Sequence, residues 1–262
     1  MSSDFLTIAL IAGGAAAASM LGGLIALWHR PTTLFMSIVL GFASGVLLAA
    51  IGFDMLPQAL GLAGLPLAVA GFAAGFIAVY GFDLFIYRGH LAGERSEQRP
   101  QVERFYQRRP PHGGEVTVLA GGTSAEELIE GLSIGVGVTI KPGLGLLIAI
   151  AIAIDNISEG LSIGEIIRAG TARHERPYTR RVLGWTGLIA VALLASALAG
   201  WFLLRGVSEP LLGFLFAVGA GGMFYLTITD LIPDAEERQY QQSAAIAMGA
   251  GFMTIFVLSS FH

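Results

Sequence analysis

Acidic side chains with helical spacing are concentrated in two apolar stretches of the sequence. Within each stretch the first two polar residues lie four and three positions before the last glutamate, a spacing that places side chains on one face of a helix. Clustered carboxylate and amide oxygens are the usual ligands of hard divalent cations. The pattern therefore predicts a metal-binding cluster, and its expected ligands are Glu126, Glu127, Glu130, Asp155, Asn156 and Glu159.

A repeated sequence contains one glutamate from each stretch. Glu-Gly-Leu-Ser-Ile-Gly occurs at 130–135 and again at 159–164, 29 positions apart. We expect two neighbouring helices of opposite direction, as in transporters built from inverted repeats. The serines of the repeat, Ser133 and Ser162, are predicted either to hydrogen-bond across the helix pair or to line a pathway. Its glycines favour close helix packing.

The acids of these two stretches have no basic partner within the apolar segments. A carboxylate near the middle of a membrane costs about 2.5–3.5 kcal/mol on insertion scales. No Lys, Arg or His lies inside any predicted span. Protons or bound cations must therefore compensate the negative charge, and five clustered acids favour a bound divalent cation.

The composition indicates that these segments lie in a lipid bilayer. Hydrophobic residues form 54% of the chain and charged residues 13%, whereas roughly a quarter of a soluble domain is charged. The absence of cysteine excludes disulfides and thiolate metal sites. Apolar runs long enough for the ~30 Å hydrocarbon core predict an all-α integral membrane protein with eight transmembrane helices. The predicted spans are 5–28, 34–57, 60–87, 116–140, 144–167, 182–204, 210–231 and 241–261.

The basic residues predict the orientation of these spans. Thirteen of the fifteen Lys and Arg residues lie in the connections after spans one, three, five and seven. Because basic loops stay in the cytoplasm, both termini are expected outside. The longest connection, about 88–115, is then a cytoplasmic loop. A chain of this kind is expected in a bacterial inner membrane.

Further acids lie near span ends. Spans two and seven both end in Asp-x-x-Pro, at Asp54 and Asp230. These residues are predicted either to collect a cation outside and release it inside, or to be solvated carboxylates at helix ends. Glu165, toward the cytoplasmic end of span five, is expected either to line an exit or to pair with Arg168.

The two acidic stretches, 126–131 and 154–160, resemble the paired His-Asn-x-Pro-Glu-Gly motifs of the ZIP (Zrt-, Irt-like) metal transporters. The resemblance extends to the eight spans, the long third loop and the Pro-ended spans two and seven. It implies a single transporter domain over 1–262, an inverted-repeat bundle with spans four and five at its centre. It also implies cation entry toward the cytoplasm through a site between these spans, often with two adjacent metal positions.

Aligned with the motif, Glu130 and Glu159 occupy the glutamate positions, and the resemblance implies that they bridge the metals. Glu126 and Asp155 stand at the histidine positions. The asparagine positions hold Glu127 and Asn156, and the motif prolines are replaced by Ile129 and Ser158.

The departures from the motif bear on the choice of metal. Both motif histidines are replaced by acids, and span six, where many relatives supply another glutamate, contains no acid between Val182 and Leu204. An oxygen-only site is harder than an imidazole site, which favours manganese, iron(II) or magnesium. Zinc and cadmium remain open as substrates.

Two other functions fit part of the pattern. A non-transporting metal sensor or scaffold is motivated by the missing histidines. An intramembrane hydrolase using carboxylates and a metal is disfavoured because phosphoryl chemistry needs cationic side chains that the spans lack. We therefore expect a secondary transporter and no enzyme, with no ATP-binding motif. The expected partners are divalent metal ions and membrane lipids, with a homodimer left open and no nucleic acid.

Overall fold

A computed structural model describes residues 2–29, 31–86, 115–170, 178–204, 206–237 and 240–260. Within these ranges every regular element is helical. The predicted cytoplasmic loop lies outside the described residues up to residue 114, and so does the 171–177 part of the next basic connection. The α-helices are α1 (Ser2–Trp28), α2 (Thr33–Ala49), α3 (Leu56–Ile86), α4 (Glu115–Ile140), α5 (Pro142–Gly170), α6 (Tyr178–Leu203), α7 (Glu209–Leu226), α8 (Ile232–Glu237) and α9 (Gln241–Ser259). Two π-helical segments are π1 (Ala50–Met55) and π2 (Thr227–Leu231).

Six helical segments in the described part of the chain are long and apolar enough to cross a membrane. The predicted class, an all-helical integral membrane protein, is confirmed, whereas the predicted count of eight spans is not. One of the six, Thr33–Phe82, is 50 residues long and combines predicted spans two and three. The acid-bearing α4 is not among the six.

The predicted turn between spans two and three lies at a different place in the structure. The sequence suggested an interruption at 57–60, after Pro57, but the chain is helical there and departs from helical geometry at Gly64 (φ 72, ψ 166). Pro57 is the second residue of α3 and directly follows the wider π1 turn, in which the N–H of Leu56 bonds to the Ile51 carbonyl oxygen five residues back. Gly64 adopts a positive φ that disfavours side chains, two residues before Pro66.

The long helices form two groups. In the first group α1 and α4 each pack against both α5 and α6; we call these four helices the acid-bearing bundle. In the second group α2 packs against α9 and α3 against α7; we call these the supporting bundle. The bundles meet where α2 contacts α5 and where α7 contacts α4.

The packing partners follow the internal repeat of the sequence. Exchanging α1, α2 and α3 with α6, α7 and α9, and α4 with α5, leaves the main helix pairs of the two bundles and of their interface unchanged. The weak similarity between spans two and seven also extends to the backbone. Both contain a π-helical segment that carries the aspartate and ends two residues before the proline. π-Helical turns within α-helices are rare and frequently mark functional sites.

The glycines of the repeated sequence lie at close helix contacts, as predicted. A Cβ atom on Gly135 of α4 would lie 2.5 Å from the Ala197 carbonyl oxygen of α6. A Cβ on Gly160 of α5 would lie 2.8 Å from the Gly23 amide nitrogen of α1. The acid-bearing helices are thus held against α6 and α1 by contacts that leave no room for a methyl group.

Close packing in the supporting bundle predicts the effect of an added methyl group. A Cβ on Gly251 of α9 would lie 3.1 Å from the Val46 amide nitrogen of α2 and closer still to the Phe42 carbonyl, whereas Gly249 has nothing within 4 Å. Gly251→Ala should therefore lower the free energy of unfolding by about 1–3 kcal/mol, and Gly249→Ala should not. Thermal unfolding of the purified variants in detergent measures the difference. Equal midpoints for the two variants would contradict the packing described.

Candidate metal site between α4 and α5

The predicted ligands lie where α4 and α5 contact each other in the acid-bearing bundle. Glu127 and Asn156 are 0% exposed, and Glu130 and Asp155 are also buried. Glu126 and Glu159 are half-buried. Helical spacing places the acids of each stretch on one side of its helix.

The structure brings the five acids into one electrostatic cluster. Glu130 experiences the charges of Glu126, Glu127 and Asp155. Glu159 experiences the charges of all four other acids. Like charges this close in an apolar surrounding repel strongly. The cluster therefore requires protons or a cation to compensate its charge.

Several oxygens of the cluster lack a hydrogen-bond donor among the described residues. They are both carboxylate oxygens of Glu127, Oδ1 of Asn156 and Oε2 of Glu159, all inaccessible to solvent. The Asn156 side chain lies near the Glu127 carboxyl group, but outside hydrogen-bonding geometry. A buried polar atom without a partner costs about 1–3 kcal/mol. These oxygens are suited to a cation, which would satisfy several of them at once.

Other polar contacts fix the helices around the cluster. Asn156 Nδ2 donates to the Ala15 carbonyl oxygen of α1 at 3.4 Å. On α6 the Ser196 hydroxyl lies 3.0 Å from the Glu127 carbonyl oxygen. On α5 the Ser158 hydroxyl donates to the Asp155 carbonyl oxygen at 2.7 Å and lies 3.3 Å from Asp155 Oδ1. Sequence reasoning assigned no role to either serine, since single hydroxyl residues in apolar helices carry no pattern.

The ligands are not yet arranged as a formed metal site. Over the described ranges, no group of three or more Asp, Glu or His side chains is positioned to hold a metal ion. Side-chain rotation would have to bring the carboxylates closer together.

The residues predicted to line a pathway have different environments. Asp54 on π1 is only 6% exposed, because π1 packs against α5, α7 and α9. Interpreting it as a solvated helix end is therefore wrong. Asp230 on π2 and Glu165 on α5 are half-buried.

The two serines of the repeated sequence are also placed by the structure. Ser133 donates to the Ile129 carbonyl oxygen of its own helix at 2.8 Å and contacts Gly219 of α7. The predicted hydrogen bond from Ser133 to α5 is therefore wrong, because the hydroxyl lies on the side of α4 that faces the supporting bundle. Ser162 is half-buried on α5.

Comparison with known proteins identifies relatives over nearly the whole chain. The chain is 28% identical over 262 residues to the zinc transporter ZupT of Salmonella heidelberg, covering 97% of this chain and 95% of the relative. It is 27% identical over 236 residues to the zinc transporter ZupT of Escherichia fergusonii, covering 88% and 86%. These relatives are transporters and not enzymes.

The family comparison agrees with these relatives and with the motif resemblance. A family model described as ZIP Zinc transporter matches residues 90–258, which include both acidic stretches and more than half of the chain. This chain therefore belongs to the ZIP zinc transporter family.

Proposed function

We propose that this protein is a secondary transporter that moves divalent metal cations across the membrane toward the cytoplasm. The observation that carries the proposal is the cluster of acids on α4 and α5, several of whose buried oxygens lack a hydrogen-bond donor among the described residues. The predicted spans that carry them contain no Lys, Arg or His. A transported cation would supply the missing charge during its passage. The printed function of the ZupT relatives supports the same activity.

The cation would bind among oxygens from both helices. Glu130 and Glu159 face one another's charge across the pair and would bridge the bound metal. The remaining oxygen ligands would be Glu126, Glu127, Asp155 and Asn156. Each helix contributes three of these six side chains. The cluster is therefore compatible with one cation or with two adjacent cations.

Movement of one bundle against the other would release the cation. The ligands lie in the acid-bearing bundle, which contacts the supporting bundle mainly along α2 and α7. Asp54 on π1 would collect the cation from outside, and Asp230 on π2 would receive it on the inner side. Glu165 would line the exit, with Ser162 and Ser133 near the path. Alternating access of this kind is expected for related helix repeats around a central site.

The membrane arrangement proposed here has eight spans with both termini outside. Division of Thr33–Phe82 at Gly64 gives spans two and three, and α4 adds span four to the remaining five helices. The concentration of Lys and Arg in alternate connections supports this orientation. The bacterial relatives support the inner membrane as its location. Membrane lipids would surround the protein, and a homodimer is compatible with this arrangement.

A second candidate function is a ZIP-like metal sensor or scaffold that does not transport. The observation in its favour is that acids, Glu126 and Asp155, replace both motif histidines. Transport measurements distinguish the two functions directly, because a sensor would bind a cation without flux.

Removal of either bridging glutamate should abolish transport. In proteoliposomes, Glu130→Ala and Glu159→Ala should each reduce the rate of Mn²⁺ uptake by about tenfold or more, since each removes a charged ligand from a buried site. Glu209→Gln is the matched control because Glu209 is an exposed acid in the first turn of α7. Wild-type uptake by both alanine variants would show that the site is elsewhere.

We propose further that the oxygen-only ligand set favours Mn²⁺, Fe²⁺ or Mg²⁺ over Zn²⁺ and Cd²⁺. Restoring imidazole at both motif positions, with Glu126→His and Asp155→His together, should shift the preference toward Zn²⁺ and Cd²⁺. Competition of each cation against Mn²⁺ uptake measures the order of preference in wild type and variant. An unchanged order in the double variant would mean that these two positions do not contact the cation.

A further inference from the structure

Ser158 is a buried hydroxyl residue beside a predicted ligand. It is 0% exposed, and its hydroxyl is shared between two acceptors of Asp155. The backbone carbonyl oxygen lies at 2.7 Å and the carboxylate Oδ1 at 3.3 Å. The single hydroxyl proton is shared between these two acceptors, with the shorter contact to the backbone oxygen, and the contact with Oδ1 orients the Asp155 carboxylate toward its own helix. Oδ2 is then the oxygen directed away from this contact.

The matching position on α4 lacks such a contact. The repeat places Ile129 opposite Ser158, so no hydroxyl is available three residues after Glu126. Glu126 is also one methylene longer than Asp155 and half-buried. The two halves of the cluster therefore differ: α5 carries a short carboxylate that contacts the hydroxyl three residues later, and α4 carries a longer carboxylate with isoleucine at that position.

We propose that Ser158 is a positioning residue that makes Asp155 a single-oxygen ligand of the transported cation. This inference rests on the proposed function. A carboxylate bound through one oxygen occupies one coordination position, which suits the six-coordinate Mn²⁺ ion. Ca²⁺ accepts six to eight oxygens and often binds both oxygens of one carboxylate. The Ser158 hydrogen bond occupies one lone pair of Asp155 Oδ1 and so disfavours binding through both oxygens, which selects smaller cations against Ca²⁺.

The test is equilibrium binding to the full-length protein in lipid nanodiscs. Mn²⁺ binding is followed by electron paramagnetic resonance, and Ca²⁺ binding by its competition with Mn²⁺. Ser158→Ala should weaken Mn²⁺ binding about tenfold relative to Ca²⁺, since a hydrogen bond to a charged group is lost. Ser158→Thr, which keeps the hydroxyl, should preserve the ratio of the two affinities.

A matched control separates this effect from ordinary packing. Ser44 of α2 is also buried, and its hydroxyl donates at 2.7 Å to the Leu40 carbonyl oxygen and to no carboxylate in the described contacts. Ser44→Ala should leave the Mn²⁺ to Ca²⁺ ratio unchanged. A Ser158→Ala variant that weakens both cations equally would show a structural role and overturn the inference.

A double-mutant cycle tests whether Ser158 acts through Asp155. In Asp155→Ala the four other acids keep cation binding measurable, and adding Ser158→Ala should then have no further effect on the ratio. The same loss in both backgrounds would overturn the inference.

Wild-type binding without flux would refute the proposed transport while leaving Ser158 testable by binding. No Mn²⁺ binding by wild type would overturn both.

Discussion

The close approach of five buried or half-buried acids on α4 and α5, in apolar stretches (116–140 and 144–167) whose sequence contains no Lys, Arg or His, is the constraint on which the rest of this structure depends. Each acid repels the others, and several of their oxygens receive no hydrogen bond from the described residues. Placing these carboxylates in a membrane costs free energy unless a bound cation or protons compensate their charge. This cost arises where α4 and α5 meet, which is where the proposed cation site lies.

The surrounding helices make this burial compatible with a stable protein. Glycines at 131, 135, 160 and 164 let α4 and α5 approach α6 and α1 closely, so the acid-bearing bundle gains contact without bulky side chains. Hydroxyl and amide groups such as Ser196 and Asn156 then tie these helices together. The helix pairs of the supporting bundle are also packed through close glycine contacts of their own. Each bundle is therefore packed internally, and the two meet mainly through α2 with α5 and α7 with α4.

The sequence predicted the parts of this structure that depend on composition and periodicity. Helical class, the two acid-bearing helices and the close glycine contacts follow from residue type and spacing alone. The sequence predicted a break after Pro57, whereas the structure has it at Gly64. Pro57 does not end the helix because it follows a π-helical segment, and no sequence pattern predicts that segment. The contact of the Ser158 hydroxyl with the Asp155 carboxylate was missed because it depends on the rotamer of Asp155, which the sequence does not specify.

Anomalous X-ray diffraction from crystals grown with Mn²⁺ tests the central claim most directly. The account predicts an anomalous peak between α4 and α5, within about 2.0–2.4 Å of carboxylate oxygens from Glu130 and Glu159. It also predicts that the other protein ligands of this ion are oxygens of the same cluster. A Mn²⁺ peak only at the membrane surface, with the five acids unoccupied at saturating metal, would contradict the account.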